Sequence, residues 1–276
     1  MKRPAASRAV VNLRRAYFEC RYGQLHVRTS FPSTGGFDEH TPLLCLHEAR
    51  GSSRSFAPFL AALGTGRSVY AADTPGCGES DPPPAPPTIA DYAAAIGDLL
   101  RNLRLRQVDV LGYHEGAAIA AELAIRQPAL VRKIVLAGVP VYTGAEREAF
   151  AASPYPQPPT ADGSHWLAEW QRRLAGRSPG MSLDQLAAGF ADALHNGPNA
   201  GWAVRAAYAW AALERLPLLT QPVLVLRPRD DLWEPTLRAE RLLRTARWQD
   251  LGEFGAGLFE LAPEVVAARV RTFLDE

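Results

Sequence analysis

Cysteine is scarce in this chain. Cys20, Cys45 and Cys77 are the only three in 276 residues, and none of their spacings suits a metal cage or a paired framework. The odd number suits a reducing compartment, and Cys45, inside an apolar run, reads as a small core residue. An excess of one charge is also missing: 30 Lys and Arg against 29 Asp and Glu leave a formal net charge of +1. That balance argues against a nucleic-acid or strongly anionic-surface partner. No apolar run approaches the roughly 20 residues that cross a bilayer, so no membrane association is expected. Asn12, Arg14 and Arg15 interrupt the first apolar stretch; no signal-peptide core forms, and the expected location is the cytoplasm. No H-x-H, C-x-x-C or H-x-x-x-H spacing occurs, and Gly76-x-Gly78 lacks the third glycine of a dinucleotide loop. Neither a metal nor an organic cofactor is expected, and the expected partner is a small-molecule substrate or ligand. One absence weighs more than the others: none of the six histidines follows His195.

Hydrophobic residues make up 47% of the sequence, enough for one sizeable core. Short apolar runs alternate with helical patterns, which is how parallel strands joined by crossover helices read. Residues 16–29 alternate around Tyr22-Gly23 and predict a leading antiparallel hairpin. Buried strands are expected at 43–47, 68–73, 108–112, 133–138, 223–227 and 247–251. Thr88-Ile89-Ala90-Asp91 has the form of a capping box and opens a helix to about Leu103. A helix from His114 to Gln127 stops at Pro128, and Pro263-Glu264 opens the last one. Residues 141–216 break this rhythm. Pro154, Pro156, Pro158 and Pro159 make a loop, and three helical stretches follow near 163–175, 182–195 and 200–215. Trp166, Trp170, Trp202 and Trp210 fall here, either as packing or as walls of an apolar pocket.

Four blocks, in order, resemble the α/β-hydrolase superfamily. Residues 43–53 (LLCLHEARGSS) look like its His-Gly oxyanion loop after the third strand. Residues 72–80 (ADTPGCGES) are similar to its D-x-P-G-x-G-x-S turn. Residues 108–118 (VDVLGYHEGAA) have the frame of the G-x-S-x-G elbow, whose serine rides a sharp strand-to-helix turn. Residues 223–235 (VLVLRPRDDLWEP) resemble the strand and loop that present the catalytic acid. The resemblance covers 16–276 and implies an α/β fold with a mostly parallel central sheet flanked by helices. It also implies an N-terminal extension over 1–15, a core from 16–140 and 217–276, and a helical cap over 141–216, between the sixth and seventh main strands.

Within that frame the chemistry is altered. At the elbow the serine is replaced by His114, while Gly112 and Gly116 keep the tight turn and the helix–strand contact. An imidazole there is able to act as general base or acid near neutral pH, or as a nucleophile; alternatively it fills the space of a dead site. The acid position falls on Asp231, because Asp231 and Pro235 match the family's D-x-x-x-P spacing, with Asp230 beside it. The family's third member, a histidine after the last strand, would stand at Ala256, so that position is vacated. Glu48 stands where the oxyanion loop carries glycine, and Glu115 follows the elbow residue. His47, Ala49 and Tyr113 complete the oxyanion and substrate region, with His47 usually structural in this family. Glu48 is expected either to pair with His114 or, like Glu115, to be solvated; a carboxylate beside the hole would repel an oxyanion unless protonated or turned away. Trp166, Trp170, Trp210 and Trp233 are the expected pocket lining.

Two functions of different kinds fit these residues. One is an enzyme that uses His114, aided by Glu48 or Asp231, on a small-to-medium apolar or aromatic substrate. Carbon–carbon cleavage, elimination, isomerisation, cyclisation and water-mediated hydrolysis all need a placed base and no acyl-enzyme. The other is a catalytically inactive homologue that binds a ligand. A hydrolase using Ser52, Ser53 or Ser55 is disfavoured, because no histidine is placed to activate them.

Overall fold

Alternation at the start of the chain produces a hairpin. The computed structural model describes residues 11–32, 39–153, 155 and 158–276. Strands β1 (Asn12–Cys20) and β2 (Gly23–Phe31) pair antiparallel from Asn12↔Phe31 to Cys20↔Gly23. The hairpin therefore starts ahead of the expected residue 16 and takes in part of the expected extension, whose residues 1–10 lie outside the described ones. Six further strands follow: β3 (Leu43–Leu46), β4 (Val69–Ala72), β5 (Val108–Tyr113), β6 (Val131–Ala137), β7 (Val223–Pro228) and β8 (Arg247–Leu251). The order across the sheet is β1-β2-β4-β3-β5-β6-β7-β8, antiparallel at β1–β2–β4 and parallel from β4 to β8.

Helices cover both faces. In chain order they begin with α1 (Ala57–Leu63), α2 (Ile89–Asn102) and α3 (Glu115–Arg126). Between β6 and β7 lie α4 (Gly144–Ala151), α5 (Ser164–Ala175), α6 (Leu183–His195), α7 (Trp202–Ala209) and α8 (Ala212–Arg215). Then come α9 (Trp233–Arg238), α10 (Leu258–Leu261) and α11 (Pro263–Asp275). Alternation along each strand divides the core: Leu44, Leu46, Val108 and Val110 pack with α2 and α3, whereas Leu43, Cys45, Leu111 and Tyr113 pack with α1 and α11. Each such leucine or valine, fully buried, contributes about 1.5–3 kcal/mol. Helix α2 starts as its sequence indicated: the Asp91 N–H donates to Thr88 Oγ1, and the Thr88 N–H donates back to the Asp91 carboxylate. Such a cap stabilises by about 1 kcal/mol.

The helical segment between β6 and β7 differs from expectation in detail. It begins with α4, which short polar sequence concealed, and its third expected stretch breaks at Trp210 into α7 and α8. Pro154 and Pro156 of the proline loop lie outside the described residues. Among the described residues no helix is long and apolar enough to cross a membrane.

The topology fixes where a site forms. From β3 the chain moves to one side, to β4, and then crosses to the other side, to β5. Loops leaving neighbouring strands in opposite directions open a crevice at their carboxyl ends. Leu46 pairs with Gly112, so the loop that starts at His47 and the turn at His114 emerge side by side.

Candidate active site

Strand β5 ends at Tyr113 and α3 begins at Glu115, which leaves His114 alone to turn the chain. It does so at φ 52° and ψ −115°, a conformation costing a non-glycine residue on the order of 1–3 kcal/mol. The backbone holds it there: the His114 N–H donates to the Ala137 carbonyl at 2.9 Å, and the Ala117 N–H to the His114 carbonyl at 2.8 Å. Gly112 and Gly116 are required by space. A Cβ on Gly112 would strike the Gly116 carbonyl, and one on Gly116 the Leu46 carbonyl. A third glycine makes room for the ring, since a Cβ on Gly138 would come within 2.6 Å of His114 Cδ2.

One carboxylate anchors the imidazole. His114 Nε2 lies 2.8 Å from Oδ2 of Asp230, whose side chain is 1% exposed. The other Asp230 oxygen accepts the Leu232 N–H at 2.9 Å, and the Tyr113 hydroxyl donates to Oδ2 at 3.4 Å. This corrects the expected acid. Asp231 is 84% exposed, and its Oδ1 stays 3.9 Å from His114 Nδ1. The reason lies in the turn, where the Asp230 N–H donates to the Pro228 carbonyl and the Trp233 N–H to the Asp230 carbonyl: Asp230 is covered and held by the Leu232 N–H, whereas Asp231 is left at the solvent edge of the same site. Burial works against charge on the ring. The Asp230 charge and hydrogen bond, with Asp231 and Glu115 adding to them, outweigh it and raise the His114 pKa from 6.5 to about 10. The pairing with Asp230 thus favours the charged form of the ring at the elbow.

Glu115 is not solvated. Its carboxylate turns back over the start of α3, accepts the Ala49 N–H at 2.8 Å and also accepts its own backbone N–H. These are the two donors that a serine-type site aims at an oxyanion. Burial raises the Glu115 pKa, opposed by the His114 charge and by these two bonds. Glu48 does not take its expected place beside His114 either; it accepts the Ser55 hydroxyl at 3.4 Å. The Glu48-to-Gly51 turn, with Arg50 at φ 64°, directs it there, and Asp230 supplies the carboxylate–imidazole pair instead. His47 is buried with both nitrogens engaged: Nδ1–H donates to the Glu48 carbonyl at 2.6 Å, and Nε2 accepts the Thr74 N–H at 3.0 Å. It ties the oxyanion loop to the turn after β4.

A cavity of about 260 Å³ opens over His114, bordered below by Ala49, Tyr113, Asp231 and the vacated position Ala256. Glu260 on α10 also borders it. The opposite wall is cationic, with Arg50, Arg172, Arg173 and Arg177 around it. Glu169 binds three of these, at 2.7 Å from Arg50, 2.9 Å from Arg172 and 2.7 Å from Arg173. Arg177 is exposed, and its side chain has no partner among the described residues.

Tryptophans were expected to line the pocket, and over His114 arginines stand there instead. Trp166 and Trp170 pack against Phe190, with Trp166 bordering an adjoining hollow of about 650 Å³ that shares Arg50 and Arg172 with the cavity over His114. Trp210 is buried and donates to Glu122 at 3.3 Å, and Trp233 lies 3.7 Å beneath the Arg227 guanidinium. None of the four borders the cavity over His114. Trp166 and Trp210 line hollows other than the one over His114, while the face of α5 turned to that cavity carries Arg172 and Arg173. Sequence reasoning passed over these arginines and Glu260; the signals were the Arg-Arg pair late in a helical stretch and a glutamate four residues after Ala256. His114, Asp230 and Asp231 bring three metal-type ligand atoms within 4.8 Å of one another among the described residues. Ligation there would need the neutral ring, so a metal would compete with the His114 proton.

Known proteins share both sequence and fold with this chain. The family model described as alpha/beta hydrolase fold matches residues 41–235. A poly(3-hydroxyalkanoate) depolymerase of Ectopseudomonas oleovorans is 30% identical over 212 residues, covering 73% of this chain and 72% of that protein. Among solved structures, the enol-lactonase from Burkholderia xenovorans LB400 superposes with a TM-score of 0.77 at 19% identity, over 95% of this chain and 100% of that one. The epoxide hydrolase VrEH1 from Vigna radiata gives 0.75 at 16% identity, over 95% and 98%. Sequence and architecture agree, and the chain belongs to the alpha/beta hydrolase fold family.

Proposed function

We propose that this protein is an alpha/beta hydrolase fold enzyme that works by proton transfer rather than acyl transfer, with His114 as its proton donor. The observation that carries this reading is the 2.8 Å contact between His114 Nε2 and buried Asp230. It fixes the ring, favours its protonated form, and leaves Nδ1 on the side of the cavity that His114 and Asp231 both border. A carbonyl oxygen placed at Nδ1 receives that proton as an adjacent bond to carbon breaks, and gives it back when the product forms. Isomerisation, elimination and carbon–carbon cleavage next to a carbonyl all follow this course. Acyl transfer lacks its parts: no serine at the elbow, no histidine after His195, and a carboxylate on the oxyanion donors. The arginine wall favours a small substrate with a carboxylate or similar anion over the apolar or aromatic one expected from the tryptophans.

A second reading, ligand binding without turnover, is favoured by Glu115, which already satisfies the donors at the site floor. One experiment separates the two. Wild type and His114→Gln are incubated in D₂O with pyruvate, 2-oxobutyrate, acetoacetate and oxaloacetate, and deuterium incorporation and cleavage are followed by NMR. The enzyme reading expects turnover of at least one acid, falling about 100-fold or more in His114→Gln at unchanged melting temperature. Equal turnover in the variant, or a burst with p-nitrophenyl acetate, overturns it. Calorimetric binding without turnover selects the second reading.

A further inference from the structure

Proton transfer at carbon needs a base as well as an acid, and protonated His114 cannot be both. The carboxylates that border its cavity are Glu48, Asp192, Asp231 and Glu260. Three are accounted for. Glu48 accepts from Ser55, Asp192 is held by Arg54 at 3.0 Å and Ser52 at 3.0 Å, and Asp231 is 84% exposed to solvent. Glu115 is bound to the two backbone donors. Glu260 alone is half-buried with no hydrogen bond or ion pair to its carboxylate among the described residues.

Its place in the fold is also specific. Glu260 stands on α10, four residues beyond Ala256, where the family's histidine would stand. Its Oε2 lies over Gly257, 3.5 Å from where a Cβ on that residue would sit. Gly257 in turn gives its backbone N–H to the Tyr113 hydroxyl, and the Tyr113 ring packs against that of His114 at 4.2 Å.

Resting on the proton-transfer reading above, we infer that Glu260 is the catalytic base that faces His114 across the shared cavity. The Glu260 carboxylate takes a proton from the carbon next to the substrate carbonyl. The C–H electron pair becomes the carbon–carbon double bond, the carbonyl electrons move to oxygen, and the oxygen takes the Nδ1 proton of His114. The result is an enol, neutral His114 and protonated Glu260. Return of the Glu260 proton to the same or a neighbouring carbon, and of the enol proton to His114, closes the cycle without a co-reactant.

The groups around Glu260 suit a base near neutrality. Burial, then Glu48 from the loop after β3 and Asp192 from α6, raise its pKa to about 7, with Arg54 opposing. His114, Asp231, Arg173 and Arg177 border the same cavity. The base form therefore grows as pH rises through about 7, and the acid form of His114 is lost as pH approaches about 10.

The test compares wild type, Glu260→Gln, Glu260→Asp and His114→Gln on the four oxo acids from pH 5 to 11, each checked for folding by thermal melting. Glu260→Gln should lower kcat by about 100-fold or more, leave KM within about threefold, and remove the rising limb of the pH profile. Glu260→Asp should recover about a tenth or more of the activity. A Glu260→Gln enzyme with kcat within threefold of wild type, or a change in KM alone, overturns the assignment. If His114→Gln is then still inactive, only Glu260 falls; if it too is active, or if the wild type turns over none of the acids, both readings fall.

Discussion

The Ala49 backbone N–H donates to the Glu115 carboxylate at 2.8 Å, and that bond places a negative side chain where an ester's oxyanion would have to form. The loop after β3 and the first residue of α3 thus satisfy each other. A substrate oxyanion would have to displace a buried carboxylate and face its charge.

Restoring the serine-type parts should therefore not be enough. His114→Ser with Ala256→His is expected to hydrolyse p-nitrophenyl acetate close to background. Adding Glu115→Ala frees both donors, and initial rates should rise about tenfold or more, since one oxyanion donor contributes about 100- to 1,000-fold. A triple variant no faster than the double contradicts the role given to Glu115.

Stability should depend on pH through the elbow. The His114 pKa is raised from 6.5 to about 10, so the ion pair with Asp230 stabilises fully below about pH 6.5 and is lost as pH climbs toward 10. The melting temperature of wild type should fall across that window more steeply than that of His114→Gln. Proton NMR of the imidazole should show the charged ring at pH 8. A neutral ring at that pH contradicts the pairing.

The two aspartates should separate cleanly. Asp230→Asn removes the anchor, but the ring is free to shed its proton. The loss should therefore be about 1–3 kcal/mol for a broken buried bond rather than the 3–5 kcal/mol of a stranded charge. Exposed Asp231→Asn should cost less than about 0.5 kcal/mol. Urea denaturation measures both, and equal losses contradict the assignment of the anchor.

Gly138→Ala tests the space around the ring. Its Cβ would meet the imidazole at 2.6 Å, on a backbone at φ 64°, so the variant should lose about 1–3 kcal/mol. It should also shift the His114 titration downward, as the ring is pushed from Asp230. An unchanged melting curve and titration would show that the ring has room to spare.

Much of this was legible in the sequence. The elbow glycines, the capping box at Thr88 and Asp91 and the strand runs report local constraints, and local constraints leave spacing behind. The choice between Asp230 and Asp231 does not: it depends on which way one tight turn faces, and both residues suit that turn. Glu115 looked solvated because a glutamate at a helix start usually is, and only the approach of Ala49 from another strand's loop draws it inward. Which hollow the tryptophans line was hidden for a similar reason. Bulk and apolarity say that a residue is covered, but not by what, and Trp166 and Trp170 are covered by Phe190. The cationic wall arises only when α5 is laid over the β3 loop.

Glu169 gives that wall a further property. One carboxylate is shared by three guanidiniums, from Arg50, Arg172 and Arg173, and so leaves two positive charges uncompensated within the cluster. Mobile anions will gather there, and a doubly charged guest will displace them on entry. Occupancy should then be governed by ionic strength as much as by shape, strongest in dilute buffer and progressively weaker in concentrated salt.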